Sequence, residues 1–438
     1  MNIKLPLETL IKGLGKGGAV ALNKSPKGKI RLSATKSGIT IESGDENGWV
    51  VHSIPTSKSV SVQEEGAWCL GGTEAEKMIE TVGSKRKKAN TTSAPCLTLM
   101  YSPPPKEAQP QDSEGIGDKD DKSVGSLDWV VDDGDDGWRM EGSFPAFLVN
   151  TVSDNSDKQL NVFSGKQDGE CLLELNTAAF KKMIQQVAAT KNTVLSSCGG
   201  LTFISAGAKD STVVREITPS EIVTGATKDF NMRLTGSTTY KILESILTGS
   251  KKTIMSVRIY LAQNGKVLKW IIGNTEFFSP VEPVEPLFRI NMDSPRTSFT
   301  VQGDVLLNRL EVMIKPVRAT EVHASLVAVG ENETIFKLEH LPKQTKGNDR
   351  SNNHPAEGTM LCHDVDGDSA IRFSFAPKPV RDFICAATDK QGEEDGKIAI
   401  RVIPKGKANA SEAIMRVQFI SNPHLAFFTP IVLEPPVA

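Results

Sequence analysis

Six amphipathic stripes constrain this chain more than any other feature, because apolar residues at i, i+3, i+4 and i+7 share one face of a helix. They are Leu7, Leu10, Ile11 and Leu14; Ala75, Met78, Ile79 and Val82; Phe180, Met183, Ile184 and Val187; Leu243, Ile246 and Leu247; Leu306, Leu310, Met313 and Val317; and Val380, Phe383, Ile384 and Ala387. They form three pairs whose members lie roughly 60–75 residues apart, a long-period recurrence. End signals agree with the stripes. Thr73 and Glu76 are spaced as a capping box, Pro377 or Pro379 suits a first turn, and Gly249 and Gly392 suit helix stops.

Between the stripes the period changes to that of strands. "GKIRLSATKSGITIES" alternates on both sides of Lys36-Ser37-Gly38, and "SVRIYLAQNGKVLKWIIG" is two alternating runs joined at Asn264-Gly265, a strong hairpin signal. "CLTLMYS" and "SLDWVVDD" in the first third, and "KIAIRVIP" and "AIMRVQFIS" in the last, complete the pattern. Each third reads helix, strands, helix, strands. The prediction is an α+β chain of three repeated units, each with two helices packed on antiparallel sheet, bounded at 1–153, 154–292 and 293–438. Residues 103–125 are acidic, proline-rich and without apolar periodicity, which predicts a disordered insertion. Residues 342–358 predict a second mobile loop, and "FFSPVEPVEPLFRINMDSPRTS" predicts an extended linker before the third unit.

Charge bounds the partners. The 438 residues hold 51 Lys and Arg against 53 Asp and Glu, so no global basic signature exists, although a local one is allowed. Six dispersed cysteines without a C-x-x-C pair argue against structural zinc and for free thiols in a reducing compartment. "MNIKLPLETL" lacks a signal-peptide core and no apolar run approaches membrane-spanning length, so the expectation is a cytoplasmic protein.

The polar faces of the six helices carry the bases: Lys12 and Lys16; Lys77, followed by Lys85 and Arg86; Lys181, Lys182 and Lys191; Lys241, followed by Lys251 and Lys252; Arg309, Lys315 and Arg318; and Lys378 and Arg381. On one helix such lysines are simply solvated. Recurrence on all six, with acids concentrated in 118–121 and 132–137, points to a basic surface on a neutral molecule. That surface suits a polyanion held through phosphates without base reading.

Enzymatic signals are thin. "HDVDGDS", His363 to Ser369, has Asp364, Asp366 and Asp368 but lacks the glycine and glutamate of a calcium loop, and reads as a surface turn rather than a metal site. No G-x-S-x-G, H-E-x-x-H or G-x-x-x-x-G-K-[ST] occurs. Gly13, Gly15 and Gly18 match the G-x-G-x-x-G spacing, but that loop needs a strand before it and a helix after. Here the order is reversed, so the match is coincidental. No cofactor is expected.

Three α+β repeats with two helices each resemble the bacterial-type DNA polymerase sliding clamp, the β processivity subunit. "LETLIKGLGKGGAVALNKSPKGKIRLSATKSGITIES" looks like its first helix, glycine-containing loop and first strand pair; "CLGGTEAEKMIETVGS" and "LELNTAAFKKMIQQVAAT" are similar to its second helix and the opening of its middle domain; "HLAFFTPIVLEPPVA" resembles its final strand and tail. The resemblance implies a head-to-tail homodimeric ring around double-stranded DNA, opened by a clamp loader, tethering a DNA polymerase, with no chemistry of its own. It makes the glycines the end of the first helix and places Lys16 and Lys24 beside the pore. It also implies a cleft for an apolar partner peptide, walled by Phe428, Thr429, Pro430, Ile431, Val432 and Leu433 with Pro283 or Pro286 from the linker. The chain departs from the family in its acidic insertion, in "SAGAKDSTVVREI" where a Gly-His-Arg turn is usual, and in a tail continuing from Glu434 to Ala438, as a divergent, virus-encoded clamp would. A non-ring DNA-binding accessory protein, a protein scaffold and a metal-dependent nuclease centred on Asp364 remain as alternatives.

Overall fold

The computed structural model describes residues 1–22, 28–45, 48–86, 95–102, 124–132, 139–148, 170–187, 193–198, 200–208, 211–226, 228–235, 239–248, 256–262, 265–284, 295–315, 318–330, 333–340, 355–391, 396–404 and 412–435. The predicted loops 103–125 and 342–358 therefore lie almost wholly outside the described residues, as do Val317, Gly249 and Gly392.

All six predicted helices form: α1 (Leu7–Gly17), α3 (Gly72–Arg86), α4 (Thr177–Val187), α5 (Thr239–Thr248), α6 (Gly303–Ile314) and α7 (Pro377–Gln391), with a short extra turn, α2 (Ala19–Leu22). Where the stripe side chains are described, they lie on the faces turned to the core. In α1, Leu7, Leu10 and Leu14 are buried, with Glu8 in the first turn and Lys16 in the last, signs that suit the helix dipole. In α6, Leu306, Leu310 and Met313 are buried. Pro377 opens α7, where its missing N–H costs nothing. Thr73 is not a cap, because α3 already starts at Gly72.

Contrary to expectation, not all of the glycines end the first helix; α1 runs through Gly13 and Gly15, and Gly18 caps it. Gly13 and Gly17 are there for close approach. A Cβ on Gly17 would lie 2.3 Å from the Ile41 carbonyl oxygen, and one on Gly13 would lie 2.8 Å from Ile41 Cδ1. Buried Ser43 stitches the break between α1 and α2: its hydroxyl donates to the Gly17 carbonyl at 2.7 Å and accepts the Val20 N–H at 3.2 Å.

Two compact units divide the chain: Met1–Ile184 with Ser220–Lys228 and Met232–Pro283, and Gln185–Pro219 with Asp229–Asn231 and Val284–Ala438. In the first, an antiparallel ladder runs Ser61–Glu64, Asn2–Pro6, Cys96–Ser102, Val124–Asp132, Arg139–Leu148, Gly66–Gly71, Lys29–Thr35, Gly38–Asp45 and Gly48–Pro55. It continues through Thr275–Pro283, Val267–Ile272, Ser256–Leu261, Glu170–Asn176 and Ile222–Thr224. In the second unit Thr193–Cys198, Leu201–Ala208 and Ser211–Ile217 lead to Leu425–Leu433. From there the ladder passes Glu412–Phe419, Lys397–Pro404, Thr297–Gln302, Ala356–Gly367, Thr334–His340, Val322–Ala328 and Arg372–Phe375, which pairs back onto Leu425–Leu433. Starting from Asn2–Pro6 and from Thr297–Gln302, the strand order is the same in the first and last thirds. That repeat is the structural counterpart of the paired stripes.

Helices cover these sheets. In the first unit α1 packs on Gly38–Asp45 and Gly48–Pro55 and touches α3 and α5; in the second α6 packs against α7. Burial of the stripes against the sheet holds both together, at about 25 cal/mol per Å² of apolar surface removed from water. The first core includes Ile3, Leu10, Leu14, Trp68 and Leu99. The other centres on Phe299, Phe336 and Phe373, with centroids 4.9 Å and 6.2 Å apart. Of the expected turn "HDVDGDS", His363–Gly367 is instead strand, the end of Ala356–Gly367, paired irregularly with Thr297–Gln302, and the turn begins only after it, at Ser369. Asp364 adopts a left-handed φ of 51° there, and the Thr300 hydroxyl donates to its carboxylate at 3.1 Å. Alternation hid this strand because both of its faces carry polar residues.

Candidate nucleic-acid interface and partner groove

The helix bases separate by their partners. Lys12 is exposed but pairs with Glu8 one turn back at 2.6 Å, and Lys315 pairs with Glu311 at 3.0 Å. Arg381 is half-buried beside Asp382, 2.9 Å away. Lys77, Lys241, Arg309, Arg318 and Lys378 are exposed, Arg318 at a left-handed φ of 52°. Lys181 and Lys182 are exposed on α4, the only one of the six long helices with no acidic residue in its range. Lys85 and Arg86 lie at the end of α3 with side chains outside the described residues, as are Lys24, Lys191, Lys251 and Lys252 altogether. Among the described bases, the positive charge is thus least compensated on α4 and partly neutralised on α1, α6 and α7 by neighbouring acids.

Lys16 behaves differently. It is half-buried, and desolvation followed by the neighbouring Lys12 charge holds its pKa below the usual lysine value. Close by, His52 is pushed down to about 4 by burial and then by Lys16. The His52 ring hydrogen-bonds Thr275 at 2.8 Å across the strand pair Gly48–Pro55 and Thr275–Pro283, and Trp49 stacks on Phe278 at 5.2 Å in the same pair. Sequence reasoning missed both contacts, since each joins residues more than two hundred apart with no local signal.

The second unit has a matching junction. Thr212–Arg215 pairs with Leu425–Phe428, and Phe203, Val214, Ala426 and Phe428 form a separate apolar cluster beneath it. His424 lies 3.4 Å from Glu216, and the Arg416 guanidinium sits 5.8 Å over the Phe428 ring.

Alternation along the last strand divides the expected cleft wall. Phe428, Thr429 and Ile431 are buried and Leu433 is half-buried, whereas Pro430 and Val432 are exposed, Val432 by 52 %. Pro430, Ile431 and Val432 line an open groove of about 530 Å³ together with Thr320, Glu321, Phe375 and Glu412. Pro283 is exposed at the end of its strand, opposite Met232 in the first unit, and Pro286 lies outside the described residues. Just beyond Leu433, Glu434 is pinned: it pairs with His323 and lies 3.7 Å from Arg372, whose carbonyl accepts the Glu434 N–H at 2.9 Å.

Other chemistry finds little support. Among the described residues no three His, Cys, Asp or Glu side chains gather to hold a metal ion, and none of the six cysteines forms a disulfide. Burial raises the Cys362 thiol to about 12 and Cys69 to about 11, which removes both as nucleophiles. Among the described residues no helix is long and apolar enough to cross a membrane.

No protein-family model and no curated protein matches the sequence. Solved structures do match. The DNA polymerase III beta subunit of Thermotoga maritima aligns with a TM-score of 0.64 at 11 % identity, covering 100 % of both chains. The DNA polymerase sliding clamp of Bacillus subtilis aligns at 0.62 and 11 %, again covering 100 % of both, and the DNA polymerase III subunit beta of Borrelia burgdorferi at 0.62 and 12 %, covering 99 % of each. Repeated strand order, paired helices and full-length superposition together establish that this chain has the fold of the bacterial DNA polymerase sliding clamp.

Proposed function

We propose that the protein is a sliding clamp: a processivity factor that closes around duplex DNA as a head-to-tail homodimer and tethers a DNA polymerase, after a clamp loader has opened it. It performs no catalysis and acts at sites of replication in the cytoplasm. Each chain supplies three clamp domains, 1–153, 154–292 and 293–438. The observation that carries this reading is the full-length match to the clamp fold together with a strand order repeated between the two ends of the chain.

Repetition also supports the closure. Within the chain, Trp49–His52 pairs with Thr275–Phe278 and Thr212–Arg215 pairs with Leu425–Phe428. Both pairs join the same two strands of the repeat, the fourth strand of one third of the chain and the last strand of the following third. The corresponding strands left over are Ala356–Gly367 and Arg139–Leu148. Among the described residues Glu357–Met360 has only Thr334–His340 beside it, and Arg139–Gly142 only Val124–Asp132. A second copy completes both edges, and two copies joined this way have no unsatisfied edge of this kind. Exposed Val327 and Leu361, in one cross-strand row with Ile335, supply apolar surface beside that edge.

DNA is held through dispersed cations, chiefly those of α4. Log affinity falls with log salt by about 0.9 per phosphate neutralised, so a few unaligned lysines attract the duplex without fixing its register. The reading is tested by loading the protein onto nicked circular plasmid with a clamp loader and then linearising the plasmid. Retention on the circle with release after cutting, and a dimeric native mass, are expected. Equal retention on both forms means ordinary binding and overturns encirclement.

A further inference from the structure

We propose that the groove beside the last strand selects partner segments that pair an apolar anchor with a cationic side chain. The inference rests on reading this groove as the partner site. Its floor is apolar and open: Pro430 and Val432 point outward while Ile431 between them is buried. Its walls carry carboxylates, Glu321 before the strand Val322–Ala328 and Glu412 at the start of Glu412–Phe419. Among the described residues no basic side chain lines it.

The mode of binding follows from the pairing. At Val432 the last strand is already flanked on both sides, by Glu412 in one register and by Ser374 in the other. A partner therefore cannot extend the sheet there through its backbone, and recognition falls to side chains. Glu321 accepts the Ser374 hydroxyl at 2.9 Å, and its backbone carbonyl takes a hydrogen bond from His340 at 3.1 Å, so this wall is held in place before any partner arrives. The Glu434 contacts to His323 and Arg372 fix the chain just past Val432, so that the opposing carboxylate and the apolar floor keep their spacing. An apolar side chain laid on Pro430 and Val432 brings its neighbours between two carboxylates. Lys or Arg gains there, and Asp or Glu is repelled.

Fluorescence anisotropy on the full chain tests this with two synthetic peptides that share a Leu-Ala-Leu core, one flanked by lysines and one by aspartates. The lysine peptide is expected to bind about tenfold more tightly, equivalent to about 1.4 kcal/mol. The E321Q/E412Q double variant should remove that preference while leaving aspartate-peptide binding no weaker, and V432S, which takes away apolar floor without adding charge, should weaken both peptides. Equal binding of the two peptides, an unchanged preference in the double variant, or no binding by either peptide overturns the inference. Retention on circular DNA is read separately, so a failed groove with intact retention leaves the clamp reading standing.

Discussion

Gly15 and Gly17, two residues apart in α1, have opposite requirements. A methyl on Gly15 meets nothing within 4 Å, whereas one on Gly17 meets the Ile41 carbonyl. Gly15→Ala should stabilise by about 0.5–1 kcal/mol through helix propensity. Gly17→Ala should destabilise by about 1–3 kcal/mol through overpacking against backbone that cannot yield. Urea denaturation of both variants measures the contrast; two changes of the same sign would mean that α1 does not lie on Ile41. His52 makes a second residue-scale prediction. Its folded pKa of about 4 lies below the ordinary 6.5, so between those values the unfolded chain binds more protons. Stability is complete above about pH 6.5 and falls by up to about 3 kcal/mol as pH drops to about 4. His52→Gln should flatten that part of the stability profile, and an unaltered pH slope in the variant would count against burial of a neutral ring.

At the scale of elements, edges and helix faces decide function. Thr359 lies on the unpaired side of Ala356–Gly367 in the proposed contact between copies. Thr359→Pro removes an N–H from that edge and should convert the dimer to monomer while leaving the helical circular dichroism signal intact. Analytical ultracentrifugation reads the mass, and a variant that stays dimeric moves the interface elsewhere. For α4, reversing both exposed bases, Lys181→Glu with Lys182→Glu, should cut retention on circular DNA several-fold and reduce its salt sensitivity by about two contacts. Undiminished retention at modest salt would take α4 off the DNA-facing surface. Lys12 and Lys315 should matter less, since each already has a carboxylate within its own helix.

For the whole molecule, helices and hairpins were legible because their signals are local. A stripe such as Phe180, Met183 and Ile184 needs only one helix to satisfy it, and "SVRIYLAQNGKVLKWIIG" needs only its own turn; both form as read. Recurrence of the stripes then exposed the repeat, and with it the fold. The site was legible only as a list of charges and a strand. Nothing in the spacing of Lys12 shows that Glu8 will claim it, and nothing in "FFTPIVL" says which of its residues face out. The strand at His363–Gly367 escaped notice for a related reason: its pairing with Thr297–Gln302 is irregular and its side chains are polar on both faces. Periodicity reports burial on one side of an element, and it is silent where neither side is buried. The sequence by itself determined the helices, most of the hairpins and their threefold recurrence, since those depend on residues within one turn or one strand of each other. Only the tertiary structure decided that Gly17 must stay bare beneath Ile41, that His52 stays neutral beside Lys16, and that Val432 and Pro430 are the open side of the last strand. Those are contacts between distant segments, and their energies exist only once burial has brought the segments together.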